Sequence, residues 1–156
     1  MGFVTTMVRP MTTDDLDEVA RLEQEHQPRP WSKRLFQDEL AQGNRLYLVA
    51  GSPVEAFGGV MIVGDEAHVT NLLVVPEHRR RGLGRLVMGS LIEAAIGAGA
   101  KHLTLEVRAS NEAARALYAS MGLVPVGFRP KYYGDDDALV MWTHDIDHLG
   151  FLESLK

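Results

Sequence analysis

Hydrophobic and polar residues follow one another along this chain in two different periods. Apolar residues in short runs or at every second position predict strands at residues 3–10, 46–50, 56–63, 67–75, 101–107, 124–128 and 138–143. Apolar residues three and four positions apart predict helices, of which the longest covers 83–97. A meander of strands followed by strand, helix, strand, helix and strand predicts a mixed sheet with helices packed against it, in an α/β or α+β layered domain.

Polar residues in front of the apolar runs mark where three shorter helices begin. Thr12 and Asp15 have the spacing of a capping box, and the first helix follows directly. Ser32 is placed to cap a second helix, after two prolines have interrupted the chain. Asn111 is placed to cap the last helix of the series. Together with the helix at 83–97, these signals predict four helices.

The length of the chain, 156 residues, suits one domain, and no linker, repeat or change of composition divides it. We therefore expect a single domain over 1–156, in which residues 145–156 form a tail without periodicity. Hydrophobic residues make up 46% of the chain and charged residues 24%, which excludes disorder over the whole length. The sequence contains no cysteine, which excludes disulfides, thiolate metal sites and a cysteine nucleophile.

The hydrophobic runs, the net charge and the histidines of the sequence indicate where the protein is located and which partners it does not bind. No apolar run reaches the roughly 18 to 20 residues that span a bilayer, and the first residues lack the pattern of a signal peptide, so we expect a cytoplasmic protein without membrane contact. The net charge of −5 argues against nucleic-acid binding. His144 and His148 lie four residues apart, but no glutamate accompanies them as in a metalloprotease motif, so no metal site is expected.

Positive charge is concentrated in the short segment 77–85, between a predicted strand and a predicted helix. The segment holds four arginines and one glutamate, a formal charge of +3 that leaves −8 for the rest of the chain. Glycines allow the backbone to approach a ligand closely, and the start of a helix attracts anions. The segment therefore predicts a phosphate-binding loop, although its spacing matches neither the Walker nor the dinucleotide fingerprint. The alternative is a solvated run of arginines.

Glu106 is the second chemical signal, because it lies inside a predicted interior strand. The apolar residues of that strand share one face, whereas Glu106 lies on the other with Thr104 and Arg108. A carboxylate in such a position is costly unless it is paired or lies in a cleft, where it can serve as a general base. The alternative is an ordinary exposed face formed by Glu106 and Arg108.

These motifs together resemble a known family. Arg79-x-x-Gly82-x-Gly84, after a strand that ends in Leu72-Leu73-Val74, is similar to the acetyl-coenzyme A pyrophosphate loop of the GNAT superfamily of N-acetyltransferases. The resemblance runs from about residue 8 to residue 142. Pro30-Trp31-Ser32 and the run from Leu105 to Asn111 are most similar to the RimI-type subfamily, the ribosomal-protein alanine N-acetyltransferases. The resemblance implies a GNAT-like domain. Its mixed, mostly antiparallel sheet would have six or seven strands, with about four helices flanking it.

The resemblance also implies which residues bind the co-substrate, acetyl-CoA. The strand would pair with the pantetheine arm, and backbone amides of the loop would hold the pyrophosphate. Asn111 would hydrogen-bond the coenzyme, and the alternative is that it only caps its helix. The implied coenzyme-binding residues are therefore Leu72, Leu73, Val74, Arg79, Arg80, Arg81, Gly82, Leu83, Gly84, Arg85 and Asn111.

Catalytic roles follow from the same resemblance. Glu106 would take a proton from the attacking amine, directly or through water, and Tyr118 would protonate the departing thiolate. Because no cysteine can carry the acetyl group, transfer would be direct, in a ternary complex. The alternative for Tyr118 is that it merely packs beside Leu117.

The implied acceptor is the N-terminal α-amine of a protein, with alanine at its first position, such as a ribosomal protein. Trp31, Tyr132 and Tyr133 are placed by analogy to line the acceptor slot, although aromatic packing would explain them as well. The acidic turn at 135–137 lies either on the substrate's path or on solvated surface. Two other functions stay open, namely acetylation of lysine or of a small-molecule amine and a non-catalytic acyl-CoA-binding module.

Overall fold

The computed structural model describes residues 6–132, 134–148 and 150–155. Its strands are β1 (Val8–Pro10), β2 (Arg45–Ala50), β3 (Ala56–Val63), β4 (Glu66–Val74), β5 (His102–Arg108), β6 (Val124–Arg129) and β7 (Ala138–Thr143). Its helices are α1 (Leu16–His26), α2 (Lys33–Leu40), α3 (Leu83–Gly97), α4 (Glu112–Ser120) and α5 (Phe151–Ser154). Two 3₁₀ turns, Thr13–Asp15 and Pro76–His78, precede α1 and follow β4.

The strands form a seven-stranded mixed sheet in the order β1-β2-β3-β4-β5-β7-β6. Strands β4 and β5 are parallel, with Glu66 opposite His102, whereas β1 with β2, β5 with β7 and β6 with β7 are antiparallel. The predicted α/β fold, its strand number and its mainly antiparallel pairing are therefore confirmed.

The element boundaries agree closely with the predicted ones, with two differences. The first strand was expected at 3–10, but residues 1–5 lie outside the described residues, and β1 covers Val8–Pro10. The sequence predicted no element for the tail from residue 145, and the structure places α5 there. A helix of four residues is about one turn long, so it is too short to show a hydrophobic period.

The chain divides into two compact units. One comprises the described part of Met1–Val60 together with Asn71–Leu91, and the other comprises Met61–Thr70 together with the described part of Ile92–Lys156. The prediction of a single domain over 1–156 stays a prediction.

The first unit has its own apolar core beneath α1 and α2. Phe36 is fully buried, and its ring meets Phe57 edge to face at a centroid distance of 6.0 Å. Inward-facing residues of α1 complete this core, at the helical spacing that the sequence shows, namely Leu16, Val19 and Leu22. The capping box in front of α1 is present, and the Thr12 backbone N–H donates to Asp15 Oδ2 at 2.8 Å.

The second unit is organised around β5. Its apolar face is buried, as the alternation predicted, through Leu103, Leu105 and Val107. Thr104, on the opposite face, is also buried, and its hydroxyl donates to the Met141 carbonyl of β7 at 2.9 Å. Because β7 pairs with β5 along most of its length, the side chains of β5 are held in a fixed register.

Candidate active site

The predicted phosphate loop, residues 79–85, belongs to the first unit and follows β4 through one 3₁₀ turn. Helix α3 begins at Leu83, and Gly82, just before it, has a φ of +78°. Arg80 has a φ of +64°, which is unusual for a residue with a side chain and is typical of functional loops. A Cβ at Gly82 would meet no atom within 4 Å, so glycine is required here by backbone conformation and not by crowding.

Three arginines of the loop, Arg79, Arg80 and Arg81, are exposed, and Arg85 is half-buried. Arg79 donates from Nε to the Val74 carbonyl at 3.3 Å, and Arg81 lies 2.9 Å from the Nδ1 of His78. The first turn of a helix has amides without partners inside the helix and carries the positive end of its dipole. Three features of the loop fit a coenzyme pyrophosphate. They are the open space at Gly82, the start of α3 and the four arginines.

The strand that precedes the loop ends in the first unit as well. Leu73 is buried, whereas Leu72 and Val74 are half-buried on its other face. This alternation is that of a strand with one face in the core. The predicted pantetheine-pairing segment is therefore an ordinary part of β4 up to Val74.

Glu106 lies in the second unit, in the middle of β5, and its side chain is 26% exposed. Its Oε1 forms a salt bridge with Nη2 of Arg129, at the end of β6, at 3.1 Å. Among the described residues, no partner binds Oε2 of Glu106. The carboxylate is thus paired through Oε1 and partly exposed, and a carboxylate in this setting can accept a proton.

Arg129 was not foreseen from the sequence. Its guanidinium also lies over the ring of Tyr132, 5.4 Å from the centroid. An arginine at the end of a strand gives no signal of its own in the sequence. Only the pairing of β6 with β7 and of β7 with β5 relates it to Glu106.

The alternative interpretation of this face, an exposed Glu106 and Arg108 pair, does not describe the structure. Arg108 binds Asp135 instead, with Nη1 3.0 Å from Oδ1. Both Glu106 and Arg108 are half-buried, and each is paired with a residue beyond β5. The side chains on this face are therefore held by ion pairs and are only partly exposed.

Tyr118 and Asn111 belong to α4, in the second unit. Tyr118 is 7% exposed, so its ring is part of the core of that unit. Asn111 is exposed, and its Oδ1 accepts from the Ala114 backbone N–H at 3.1 Å. The capping role is thus present, and coenzyme binding by Asn111 stays a prediction.

The acidic turn at 135–137 is tied to the connection between β5 and α4. Asp136 accepts from the backbone N–H and the hydroxyl of Ser110, and Asp137 accepts from the Lys131 backbone N–H at 2.8 Å. The Arg108 side chain lowers the pKa of Asp135, and the Ser110 hydroxyl lowers that of Asp136. Asp135 is exposed, Asp136 and Asp137 are half-buried, and all three carboxylates are hydrogen-bonded. Whether the turn lies on the path of the substrate stays open.

The predicted acceptor-slot residues lie in different units. Trp31 is half-buried in the first unit, with its ring 5.3 Å from that of Phe36, whereas Tyr132 is 50% exposed in the second. Tyr133 lies outside the described residues. Trp31 and Tyr132 thus each contact an aromatic or basic residue of their own unit, and the shared role of the three residues in acceptor binding stays a prediction.

No helix among the described residues is long and apolar enough to span a membrane. Likewise, the described part of the chain holds no group of three or more side chains that could bind a metal ion.

Comparison with known proteins agrees with this architecture. The model of the acetyltransferase (GNAT) family matches residues 15–123. The [ribosomal protein bS18]-alanine N-acetyltransferase of Salmonella typhimurium is 40% identical over 138 residues, which cover 84% of this chain and 92% of that protein. The enzyme of the same name from Escherichia coli K12 is 38% identical over the same shares of the two chains.

Solved structures show the same fold. The crystal structure of the ribosomal-protein-S18-alanine N-acetyltransferase from Escherichia coli has a TM-score of 0.83 and 33% identity, and the match covers 90% of this chain and 94% of that one. Arabidopsis thaliana NAA60 in complex with acetyl-CoA has a TM-score of 0.83 at 18% identity, covering 90% and 98%.

These matches confirm the family resemblance, the enzyme class and acetyl-CoA as co-substrate, so the non-catalytic module is set aside. The chain belongs to the GNAT family of acetyltransferases and is an acetyl-CoA-dependent N-acetyltransferase.

Proposed function

We propose that this enzyme acetylates the N-terminal α-amine of a protein that begins with alanine, such as ribosomal protein bS18. The similarity to enzymes named for this acceptor, over 84% of the chain, is the observation that carries the proposal. The chemistry of the acceptor agrees with it. An α-amine has a pKa of about 8 against about 10.4 for lysine, so far more of it is neutral near pH 7 and ready to attack.

Coenzyme binding is assigned to the first unit. The backbone of 79–85 and the start of α3 hold the pyrophosphate, and Leu72–Val74 offers main-chain hydrogen bonds to the pantetheine arm. The arginines supply charge around the phosphates. Asn111 contributes a further polar contact to the coenzyme.

Transfer proceeds without a covalent enzyme intermediate, since the chain has no cysteine. The amine nitrogen attacks the thioester carbonyl carbon and forms the new C–N bond, while Glu106 takes the amine proton directly or through water. The tetrahedral intermediate then collapses, the C–S bond breaks, and Tyr118 gives its hydroxyl proton to the leaving thiolate. Arg129 orients the Glu106 carboxylate through Oε1 so that Oε2 faces the proton.

A panel of acceptors tests the proposal. It contains a peptide that begins with alanine, the same peptide with a blocked N-terminus and an internal lysine, and a small primary amine. We expect the highest kcat/KM for the free alanine peptide. A faster reaction with the lysine peptide or with the small amine would assign the enzyme to that acceptor class instead.

A further inference from the structure

Glu23 is a buried carboxylate that the proposed mechanism does not use. It lies on α1, three residues before the end of the helix, and is only 2% exposed. Among the described residues, no lysine, arginine or histidine forms a salt bridge with it. Burial of a carboxylate without a cation costs free energy of folding, so the buried Glu23 calls for an explanation beyond packing.

Two neutral donors occupy its two oxygens. Oε2 accepts from the Trp31 backbone N–H at 3.0 Å, and Oε1 accepts from Nδ2 of Asn71 at 3.4 Å. Burial raises the pKa of Glu23, and these two hydrogen bonds act in the opposite direction. One side chain thus joins helix α1, the connection to α2 and strand β4, all within the first unit.

Trp31 lies in the connection between α1 and α2, which contains two prolines. Pro28 and Pro30 have no N–H, so the amide of Trp31 is the first donor after the second proline. The ring of Trp31 packs on Phe36. Trp31 is therefore fixed at both ends, by its ring on the core and by its amide on Glu23.

The other partner, Asn71, lies within β4 itself. Asn71 directly precedes Leu72–Val74, the segment assigned to the pantetheine arm. The Glu23 carboxylate thus connects the residue assigned to the acceptor slot with the strand assigned to the acyl donor. A direct two-bond bridge transmits the position of one to the other more precisely than packing alone.

We propose that Glu23 is a positioning residue for the acceptor. Its carboxylate bridges Trp31 and Asn71, and so it holds the connection between α1 and α2 at a fixed distance from β4, the strand that presents acetyl-CoA. This inference rests on the proposed roles of Trp31 and β4. It predicts that loss of the bridge weakens acceptor binding selectively, whereas a merely structural carboxylate would change stability and leave the KM values alone.

Four variants of the full-length enzyme test the bridge. Glu23→Ala removes both hydrogen bonds. Glu23→Gln keeps both, because Gln accepts from the Trp31 N–H and its amide donates to Asn71 once that side chain turns over. Asn71→Asp places two carboxylates against each other, and Glu23→Gln combined with Asn71→Asp restores one donor facing one acceptor. Glu25→Ala, on the exposed side of the same helix, is the matched control.

The readouts are the acceptor KM, the acetyl-CoA Kd and the thermal midpoint. Loss of a buried hydrogen-bonded bridge is expected to raise the acceptor KM about tenfold in Glu23→Ala and Asn71→Asp, with the acetyl-CoA Kd within about twofold of wild type. Glu23→Gln, the double variant and Glu25→Ala are expected to stay within about threefold of wild type for the acceptor.

An acceptor KM in Glu23→Ala equal to that of wild type, or a double variant as impaired as Asn71→Asp, would overturn the inference. If Glu23→Ala does not fold, the comparison of Asn71→Asp with the double variant decides. The acceptor used is whichever the wild-type enzyme prefers. A preference for lysine or for a small amine would therefore refute the proposed function while the Glu23 test still stands.

Discussion

The coenzyme loop at 79–85 and the pair formed by β5 and α4 carry their proposed chemistry in opposite ways. The loop is exposed, and its shape comes from the backbone, with Arg80 and Gly82 both at positive φ. In β5 and α4 the proposed chemistry depends on side chains, whose positions are fixed by contacts. Glu106 forms a salt bridge with Arg129, and Tyr118 is packed into the core. Substitutions in the loop should therefore change coenzyme affinity, and substitutions in β5 and α4 should change turnover.

The largest effect should come from Glu106→Gln. The amide keeps the size and one acceptor oxygen but cannot take the amine proton, so we expect kcat to fall about 10²- to 10³-fold. The acetyl-CoA Kd, measured by calorimetry, should stay within about twofold. Glu112→Gln, on the exposed start of α4, is the control and should behave as wild type. A near-normal kcat in Glu106→Gln would remove this residue from the chemistry.

Tyr118→Phe should have the next largest effect. Phenylalanine fills the same buried space, so only the hydroxyl is lost, and protonation of the thiolate must then come from water. We expect kcat to fall about 10- to 100-fold, with little change in the thermal midpoint. Stopped-assay detection of free coenzyme thiol provides the measurement. A variant that loses stability but not turnover would leave Tyr118 as a packing residue only.

In the loop, Gly82→Ala should weaken coenzyme binding, because it makes the backbone conformation of the loop less favourable. The side chain has open space, but the φ of +78° costs alanine about 1 to 2 kcal/mol, so the acetyl-CoA Kd should rise about tenfold. Gly89→Ala is a matched control, since a Cβ there also meets nothing within 4 Å and the residue lies in regular helix α3. Equal affinities for the two variants would show that the loop conformation does not contribute to coenzyme binding.

The smallest effect should come from a substitution in the acidic turn at 135–137, which is hydrogen-bonded to the connection between β5 and α4. The pKa of Asp136 is lowered from its ordinary value of 3.8, chiefly by the Ser110 hydroxyl. Its contribution to stability is therefore present above that value and is lost as the pH falls through the lowered pKa. Asp136→Asn should lower the thermal midpoint by about 2 °C near neutral pH, and this difference should shrink as the pH falls through the lowered pKa.

One control variant and one contradicting outcome apply to this prediction. Asp38→Asn, at an exposed position of α2, should show no such pH dependence. A constant difference between Asp136→Asn and wild type at all pH values would mean that the turn is held by shape and not by its charge.

Local signals explain how much of the fold the sequence could predict. Ser32 caps α2 by accepting from the Leu35 N–H at 3.1 Å, and Asn111 caps α4 in the same way, since both motifs involve residues only three positions apart. Strand and helix periods are local as well. The phosphate loop was recognisable because its glycines and arginines are contiguous.

The pairings that shape the candidate site are not local. Glu106 meets Arg129 only because β6 joins β7 with a register shift between Pro125 and Gly127, which no pattern in the sequence specifies. The partners of Glu23 lie 8 and 48 residues away along the chain. Sequence periodicity indicates which residues face inward, but the identity of their partners depends on tertiary packing.

The central claim, transfer to an α-amine, is tested most directly by mapping the product on one peptide that offers both kinds of amine. The peptide begins with a free alanine and carries one internal lysine. After incubation with the enzyme and acetyl-CoA, fragment mass spectrometry locates the acetyl group. We expect it on the N-terminal alanine. Acetylation of the lysine, with the alanine left free, would contradict the account.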